Sequence, residues 1–207
     1  MQHRLSSSER REAIINTAIR LFAEKGFRGT TTRGLAAAVG VSEPVLYQHF
    51  RTKRELYHAI LETKAKESNL RFKTQIAPLL EKDDDCAFFA QLAEFILDRY
   101  EADPQYARLL LLSALEGHEL ADLFFRRQVL AFYRMLSGYI RRRIEKGAFS
   151  ALDPNLAARA FLGMIIHHGQ VQLLYRDTIV RTSRKRVIEG MVETFLNGIK
   201  RSKARQR

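Results

Sequence analysis

Cysteine is nearly absent from this chain of 207 residues, since Cys86 is the single one. An intrachain disulfide is therefore excluded, which fits a reducing compartment. Long hydrophobic runs are missing too, and runs such as the four leucines at residues 109–112 are far too short to span a membrane. Residues 1–12 are polar and charged and lack the apolar segment of a signal peptide. We therefore expect a cytoplasmic protein with no membrane partner.

Proline is scarce, and the patterns of β-strands are missing. Three of the four prolines stand where a helix is predicted to begin, as in Asp103-Pro104 and Asp153-Pro154. There is neither an alternation of β-branched and polar residues nor a hairpin signal. Apolar residues recur instead at helical spacing. The sequence predicts an all-α chain of about nine helices, at residues 7–25, 32–39, 43–49, 53–76, 85–101, 104–116, 119–146, 154–176 and 183–200.

Acidic residues are outnumbered by basic ones, 23 against 35, which gives a formal net charge of +12. Such an excess is typical of proteins that bind nucleic acid, and less often an anionic membrane. It is unevenly spread: residues 1–77 carry a net charge of +7, residues 78–125 carry −8 and residues 126–207 carry +13. These blocks suggest separate functions along the chain, although a charged run can also be an ordinary solvated helix face.

Residues 31–50 show the pattern of a helix-turn-helix. Ala36 is small enough for a second helix to cross closely, and Gly40 can take the left-handed conformation that ends the first helix. Ser42 is the expected N-cap of the second helix. The apolar residues of the inner face are Leu35, Val39, Val41 and Leu46. The outer face of the second helix keeps polar, aromatic and small groups, namely Glu43, Pro44, Val45, Tyr47, Gln48 and His49. Such groups suit base edges, thymine methyls and phosphates in a major groove.

A helix-turn-helix is also a common core motif that has no DNA role. Cations beside the motif favour the DNA interpretation, because phosphates must be neutralised next to the reading helix. The nearby cations are Arg28, Arg33, Arg51, Lys53 and Arg54.

The same stretch resembles the TetR family of bacterial regulators, and the match covers about Arg10 to Leu61. It runs through Ala18, Leu21, Phe22, Gly26, Phe27, Thr30, Thr31, Leu35, Ala36, Gly40, Val41, Ser42, Leu46, Tyr47, His49, Phe50, Lys53 and Leu56. The resemblance implies an all-helical protomer, a homodimer and a C-terminal ligand domain. It also implies that Thr31, Tyr47 and Lys53 contact phosphates. The residues implied to lie near bases are Arg33, Glu43, Pro44, Val45, Gln48 and His49. Thr32 and Ser42 complete the predicted DNA-binding set.

These inferences together predict a two-domain regulator. Residues 8–68 are the expected TetR-type DNA-binding domain, and residues 69–207 the expected effector-binding and dimerisation domain. We expect a repressor that a small apolar or aromatic ligand releases from a palindromic operator. The alternative is an activator or repressor that a protein partner controls, or that has no small-molecule effector. The expected partners are double-stranded operator DNA, a second copy of the chain and a small-molecule effector.

The C-terminal half is rich in aromatic and apolar residues, most of which are expected to form a core. The candidate effector contacts are Phe88, Phe89, Leu92, Phe95, Phe125, Tyr133, Met164 and His168. The candidate dimer interface lies on the last two predicted helices and comprises Leu156, Ala160, Gly163, Met164, His167, Val171, Ile188, Met191 and Phe195.

No pattern for catalysis, a cofactor or a metal is found in the sequence. Nucleophile elbows, Gly-rich phosphate loops and paired cysteine motifs are all missing, so we do not expect an enzyme. His167 and His168 are poor metal ligands as a pair, because adjacent residues point about 100° apart on a helix. The predicted helix at 183–200 mixes acids with cations on its polar side, which suits a partner helix better than a membrane surface.

Overall fold

The computed structural model describes residues 6–117, 119–175 and 182–200, and within these ranges the fold is all-α, as predicted. The helices are α1 (Ser7–Gly29), α2 (Thr32–Val39), α3 (Glu43–His49), α4 (Lys53–Gln75), α5 (Asp85–Ala102), α6 (Pro104–Leu115), α7 (Glu119–Phe124), α8 (Leu130–Glu145), α9 (Pro154–Tyr175) and α10 (Arg184–Ile199). A 3-10 turn covers Ala77–Leu79 and a π-helical turn covers Phe125–Val129. None of the described helices is long and apolar enough to cross a membrane.

Most helices begin at the predicted residue because the predicted caps are formed. At the start of α1, the Glu9 N–H donates to Ser6 Oγ over 3.2 Å, and the Ser6 N–H donates to Glu9 Oε2 over 2.8 Å. Asp103 accepts a hydrogen bond from the Tyr106 N–H over 3.1 Å at the start of α6. Side-chain caps of this kind satisfy backbone donors that have no partner within the helix, so they specify where it starts.

Two predicted helices differ in detail from the observed ones. Gly26 was expected to end α1, but the helix resumes after it and continues to Gly29. The break itself is present, since Gly26 has a φ of +71° and a ψ of 174°. The single helix predicted at 119–146 is represented by α7, the π-helical turn and α8. Turns of the π type are often found at functional sites.

The first of two compact units contains residues 6–68 and 103–125. Its core is built by the apolar faces of α1 to α4 and α6, with Phe22, Leu35 and Leu46 buried. The first segment of this unit ends at residue 68, where the DNA-binding domain was predicted to end. Residues 103–125 were predicted for the C-terminal domain, but they pack into this first unit, because α6 lies against α1 and buries Leu109 in the shared core.

The second unit contains the described residues of 69–102 and 126–200, with α5, α8, α9 and α10 around one core. Phe89 of α5 lies at its centre and is fully buried. Its ring centroid is 4.8 Å from that of Phe161 on α9, 5.0 Å from that of Phe195 on α10 and 5.8 Å from that of Tyr139 on α8. This aromatic cluster therefore joins all four helices.

Ion pairs in the second unit connect the acidic block of the sequence to the basic block that follows it. Arg143 Nε donates to Asp85 over 2.8 Å, and Lys146 Nζ donates to Asp83 over 2.6 Å. The Lys146 hydrogen bond is the main reason why the pKa of Asp83 is lowered. Arg184 contacts three carboxylates of α5, those of Glu94, Asp98 and Glu101. The alternation of charge along the chain thus serves packing within one unit, and does not by itself separate functions.

Gly169 is required on α9 by the close approach of Tyr100 from α5. A Cβ at this position would lie 2.5 Å from Tyr100 Cδ2. We expect Gly169→Ala to lower the free energy of unfolding by about 1–3 kcal/mol, since the ring would have to move within a packed interior. Gly138→Ala on α8 is the control, because no other described part of the chain beyond its own helix backbone and its chain neighbours lies within 4 Å of its Cβ position. Urea unfolding followed by circular dichroism measures the free energy of unfolding of the two variants. Equal changes in Gly169→Ala and Gly138→Ala would contradict the steric explanation.

Candidate nucleic-acid interface

The helix-turn-helix is formed by α2, a tight turn and α3, as predicted. Gly40 follows α2 in the left-handed conformation, with a φ of +78°, and its N–H donates to carbonyls at the end of α2. The next N–H, of Val41, donates to the Ala36 carbonyl over 3.0 Å. Leu35, Ala36 and Leu46 are buried between the helices. This packing fixes the angle between α2 and α3 and leaves the opposite side of α3 in solvent.

The two helices begin with different caps. Thr31 Oγ1 accepts a hydrogen bond from the Gly34 N–H over 3.0 Å, so its side chain caps α2. Ser42 is the N-cap residue of α3, as predicted, but its hydroxyl forms no capping hydrogen bond. Pro44, two positions later, removes one of the two N–H groups from which such a hydroxyl can accept. The Ser42 side chain is exposed.

The predicted DNA-binding residues lie together on α2, on α3 and at the start of α4. The exposed ones are Thr31, Arg33, Ser42, Pro44, Tyr47 and Gln48, and the half-buried ones are Thr32, Glu43, Val45, His49 and Lys53. Among the exposed residues of this predicted DNA-binding set, Tyr47 has the largest side chain, and 44% of its surface is accessible. Their contact with DNA remains a prediction.

Glu43 connects the two helices of the motif. Thr32 Oγ1 donates to Glu43 Oε1 over 2.9 Å, and the Tyr47 hydroxyl donates to Thr32 Oγ1 over 3.3 Å. Arg33 Nε lies 3.9 Å from the second carboxylate oxygen of Glu43. One negative charge is therefore held among the groups that we expect to meet phosphates and bases.

Arg11 was missed by the sequence analysis. Its guanidinium lies 4.2 Å from the centre of the Phe50 ring and donates to the His49 carbonyl over 3.2 Å. A cation at this place stabilises the carboxyl end of α3. The sequence contains no signal for the contact, because it joins residues 38 positions apart.

Lys53 is turned inward, although a phosphate contact was implied for it. Its Nζ donates to the carbonyls of Phe27 and Thr30, over 2.5 and 2.9 Å, and lies 4.2 Å from the centre of the Phe27 ring. Burial lowers the pKa of Lys53, and the nearby carboxylate of Glu116 acts in the opposite direction. In this conformation the ammonium holds the junction between α1 and α2.

Six of the eight predicted effector residues belong to the hydrophobic core of the second unit, and the exceptions are Phe125 and His168. Four of them, Phe88, Phe89, Leu92 and Phe95, are at most 1% exposed and pack in the core of the second unit. Phe125 belongs to the first unit and is 45% exposed. The remaining three are half-buried in the second unit, namely Tyr133, Met164 and His168.

An aromatic group in the second unit, which includes the predicted Phe95, shows features of a ligand site. The Phe72 ring is 5.7 Å from that of Phe132, which is 5.6 Å from that of Phe95. The side-chain oxygens of Gln75 and Gln128 are buried and have no hydrogen-bond partner among the described residues. Gln128 belongs to the π-helical turn. The sequence analysis overlooked both glutamines, because only the fold shows that their oxygens are buried.

The predicted dimer residues separate into three groups by exposure. Leu156, Ala160, Gly163 and His167 are exposed on α9, and Leu156 has 67% of its surface accessible. Met164, Val171 and Met191 are half-buried. Ile188 and Phe195 of α10, by contrast, lie in the core of their own protomer. They are not available to a second copy, because α10 directs its apolar stripe towards α5.

Glu43→Gln is expected to tighten binding to random-sequence duplex DNA about two- to fivefold at low salt. The substitution removes a negative charge beside the groups that are predicted to contact phosphates and frees Arg33, an effect of about 0.3–1 kcal/mol for surface charges. Fluorescence anisotropy measures the affinity. Glu62→Gln, which changes an exposed glutamate of α4, is the control. Unchanged or weaker binding by Glu43→Gln would show that its carboxylate does not face the DNA.

Comparisons with known proteins agree with this geometry. The family description for bacterial regulatory proteins of the tetR family matches residues 14–60. The description of an AefR-like transcriptional repressor C-terminal domain matches residues 87–198. The nucleoid occlusion factor SlmA of Marinobacter nauticus is 30% identical over 175 residues, which cover 83% of this chain and 87% of that protein.

The tetracycline repressor protein class C of Escherichia coli is 50% identical over 52 residues, which are 25% of this chain and 24% of that protein. The crystal structure of AibR with isovaleryl coenzyme A and operator DNA has the same fold, with a TM-score of 0.66 and 21% identity, over 90% of this chain and 97% of that one. Because the two family descriptions match both halves of the sequence and a relative is similar over most of it, this chain belongs to the TetR family of bacterial transcriptional regulators.

Proposed function

We propose that this protein is a repressor that binds a palindromic operator as a homodimer and releases it when a small, largely apolar ligand binds to the second unit. The DNA-binding part is supported by the exposed face of α3, which carries Tyr47 and Gln48 beside the cation of Arg33. Side chains of these types bind phosphates and base edges in the major groove.

The ligand part is carried by one observation, two buried amide oxygens that have no hydrogen-bond partner among the described residues of the unit that also contains an aromatic cluster. Buried oxygens such as those of Gln75 and Gln128 normally accept a hydrogen bond. The rings of Phe72, Phe95 and Phe132 supply apolar surface in the same unit. The matching ligand has an apolar body and at least one O–H or N–H donor. AibR, which has the same fold, has been crystallised with both a small molecule, isovaleryl coenzyme A, and operator DNA.

The homodimer is supported by the exposed face of α9. Leu156, Ala160 and Gly163 combine an exposed leucine with small residues that let a second helix approach closely. A palindromic operator presents two half-sites about 34–36 Å apart, and two copies related by a twofold axis place one reading helix at each.

The test begins with DNA that the purified protein selects from a random duplex library. The selected duplex should bind at least about 10³-fold more tightly than random duplex. A thermal-shift screen of apolar compounds that carry a hydroxyl or amide donor follows, and each stabilising compound is added to titrations of the selected duplex. We expect a several-fold to hundredfold loss of affinity, which corresponds to a coupling of about 1–3 kcal/mol.

Gln128→Leu and Gln75→Leu test the ligand site itself. Each removes an unpaired oxygen and keeps a similar volume, so we expect a more stable protein that responds less to the ligand. Compounds that stabilise the protein without changing its DNA affinity would refute ligand release. Failure to select any duplex would refute the DNA-binding function itself.

Control by a protein partner is a second candidate, favoured by a row of exposed arginines. Arg127 lies in the π-helical turn, and Arg134 and Arg141 follow on α8. Guanidinium groups in a row suit an acidic surface, because each can bind a carboxylate through two hydrogen bonds. Binding of a glutamate-rich peptide that changes DNA affinity, and that is lost in Arg134→Ala/Arg141→Ala, would favour this candidate over the small ligand.

A further inference from the structure

Glu116 has an unusual position at the end of α6. It is the C-cap residue of that helix, next to the negative end of the helix dipole, where a carboxylate is disfavoured. The half-buried side chain therefore does not serve α6 itself. It contacts the α1–α2 junction, which we define as residues 26–31, within the same compact unit.

The contacts of Glu116 fit the backbone of the junction closely. Glu116 Oε2 accepts a hydrogen bond from the Phe27 N–H over 3.2 Å. Its other carboxylate oxygen lies against Gly26, where a Cβ would overlap it. Gly26 is thus required for two reasons, its positive φ and the space that the carboxylate takes.

The rest of the junction is held from other sides. Lys53 Nζ donates to the carbonyls of Phe27 and Thr30. The Thr30 hydroxyl is buried and donates to the Gly26 carbonyl over 2.8 Å. Directly after Thr30 comes Thr31, the N-cap of α2. The position of the junction therefore sets the position of the α2 N-terminus.

We propose that Glu116 is a positioning residue for DNA binding, which together with Lys53 holds the α1–α2 junction and so places Thr31, Thr32 and Arg33 for contact with the operator. It acts through the Phe27 N–H and the Gly26 backbone and does not touch DNA. The proposal rests on the DNA-binding function above.

The test compares Glu116→Ala, Glu116→Gln and Glu145→Ala. Glu145 is an exposed glutamate at the end of α8 and serves as a matched control in the other unit. We expect Glu116→Ala to bind the selected duplex on the order of tenfold more weakly, the scale of one lost charge-assisted hydrogen bond. Glu116→Gln keeps an oxygen acceptor, so it should restore most of the affinity.

Binding to random-sequence duplex separates positioning from electrostatics and from general destabilisation. Loss of a negative charge alone would tighten the binding of every DNA. Misplacement of the α2 N-terminus weakens only the selected duplex. We therefore expect a lower ratio of specific to random affinity for Glu116→Ala, measured below the melting temperature of each variant, and the wild-type ratio for Glu145→Ala.

Hydrogen exchange supplies a readout that does not depend on DNA. The Phe27 amide should exchange faster in Glu116→Ala than in the wild type. If Glu116→Ala does not fold, Lys53→Met is the second test of the proposal. This variant should also loosen the α1–α2 junction and lower the ratio of specific to random DNA affinity. A wild-type ratio in every folded variant overturns the proposal, whereas a wild-type protein that selects no duplex overturns the DNA-binding function instead.

Discussion

Gly163→Glu is expected to separate the protomers and to weaken operator binding by on the order of 100-fold or more. Gly163 is exposed in the middle of α9, and among the described residues nothing beyond the backbone of its own helix and its chain neighbours lies within 4 Å of its Cβ position. The folded protomer can therefore accept the glutamate, whereas a closely packed second copy cannot. The loss is large because two linked half-sites bind far more tightly than one.

Light scattering after size exclusion measures the mass, and fluorescence anisotropy measures the affinity for the selected duplex. Gly138→Glu is a matched control, since Gly138 also has open space around it and an arginine four residues earlier, Arg134, as Gly163 has Arg159. A Gly163→Glu protein that stays dimeric would place the dimer interface elsewhere. Monomers from both variants would show that the effect is not specific to α9.

Phe89→Ala should lower the free energy of unfolding by about 3–5 kcal/mol, the cost of removing a buried phenylalanine. Phe89 is fully buried, and its ring contacts those of Phe88, Tyr139, Phe161 and Phe195. Thermal and urea unfolding measure the change. Leu70→Ala on α4 is the control, since that side chain is mostly exposed and its truncation should change the free energy of unfolding little.

The same variant tests the sequence-based prediction that Phe89 contacts the effector. Truncation of a core residue lowers the free energy of unfolding of the protein whether or not a ligand is added. Truncation of a residue that only contacts the ligand leaves the free energy of unfolding unchanged but removes the response to the ligand. If Phe89→Ala has nearly wild-type stability and no longer responds to the ligand, Phe89 contacts the effector as the sequence predicts. The aromatic cluster around Phe72 would then be a less suitable candidate for the ligand site.

The sequence by itself determined the positions of the helices and the helix-turn-helix motif. Caps such as Asp103 and Ser6 specify helix starts through hydrogen bonds to residues three positions away. Gly40 ends α2 because its backbone takes a left-handed φ, which is again a local property. The outer face of α3 follows from helical periodicity alone. These features could be predicted because each depends on a few neighbouring residues.

Only the tertiary structure decided which surface covers each apolar face. The stripe of α10 that contains Ile188 and Phe195 suits a second copy as well as it suits α5, because periodicity shows that a face is apolar but not what packs on it. The long-range polar contacts were equally hidden. Glu116 meets Phe27 across 89 positions, and Lys53 meets Thr30 across 23. Such pairs arise where packing brings distant segments together, so no local pattern in the chain records them.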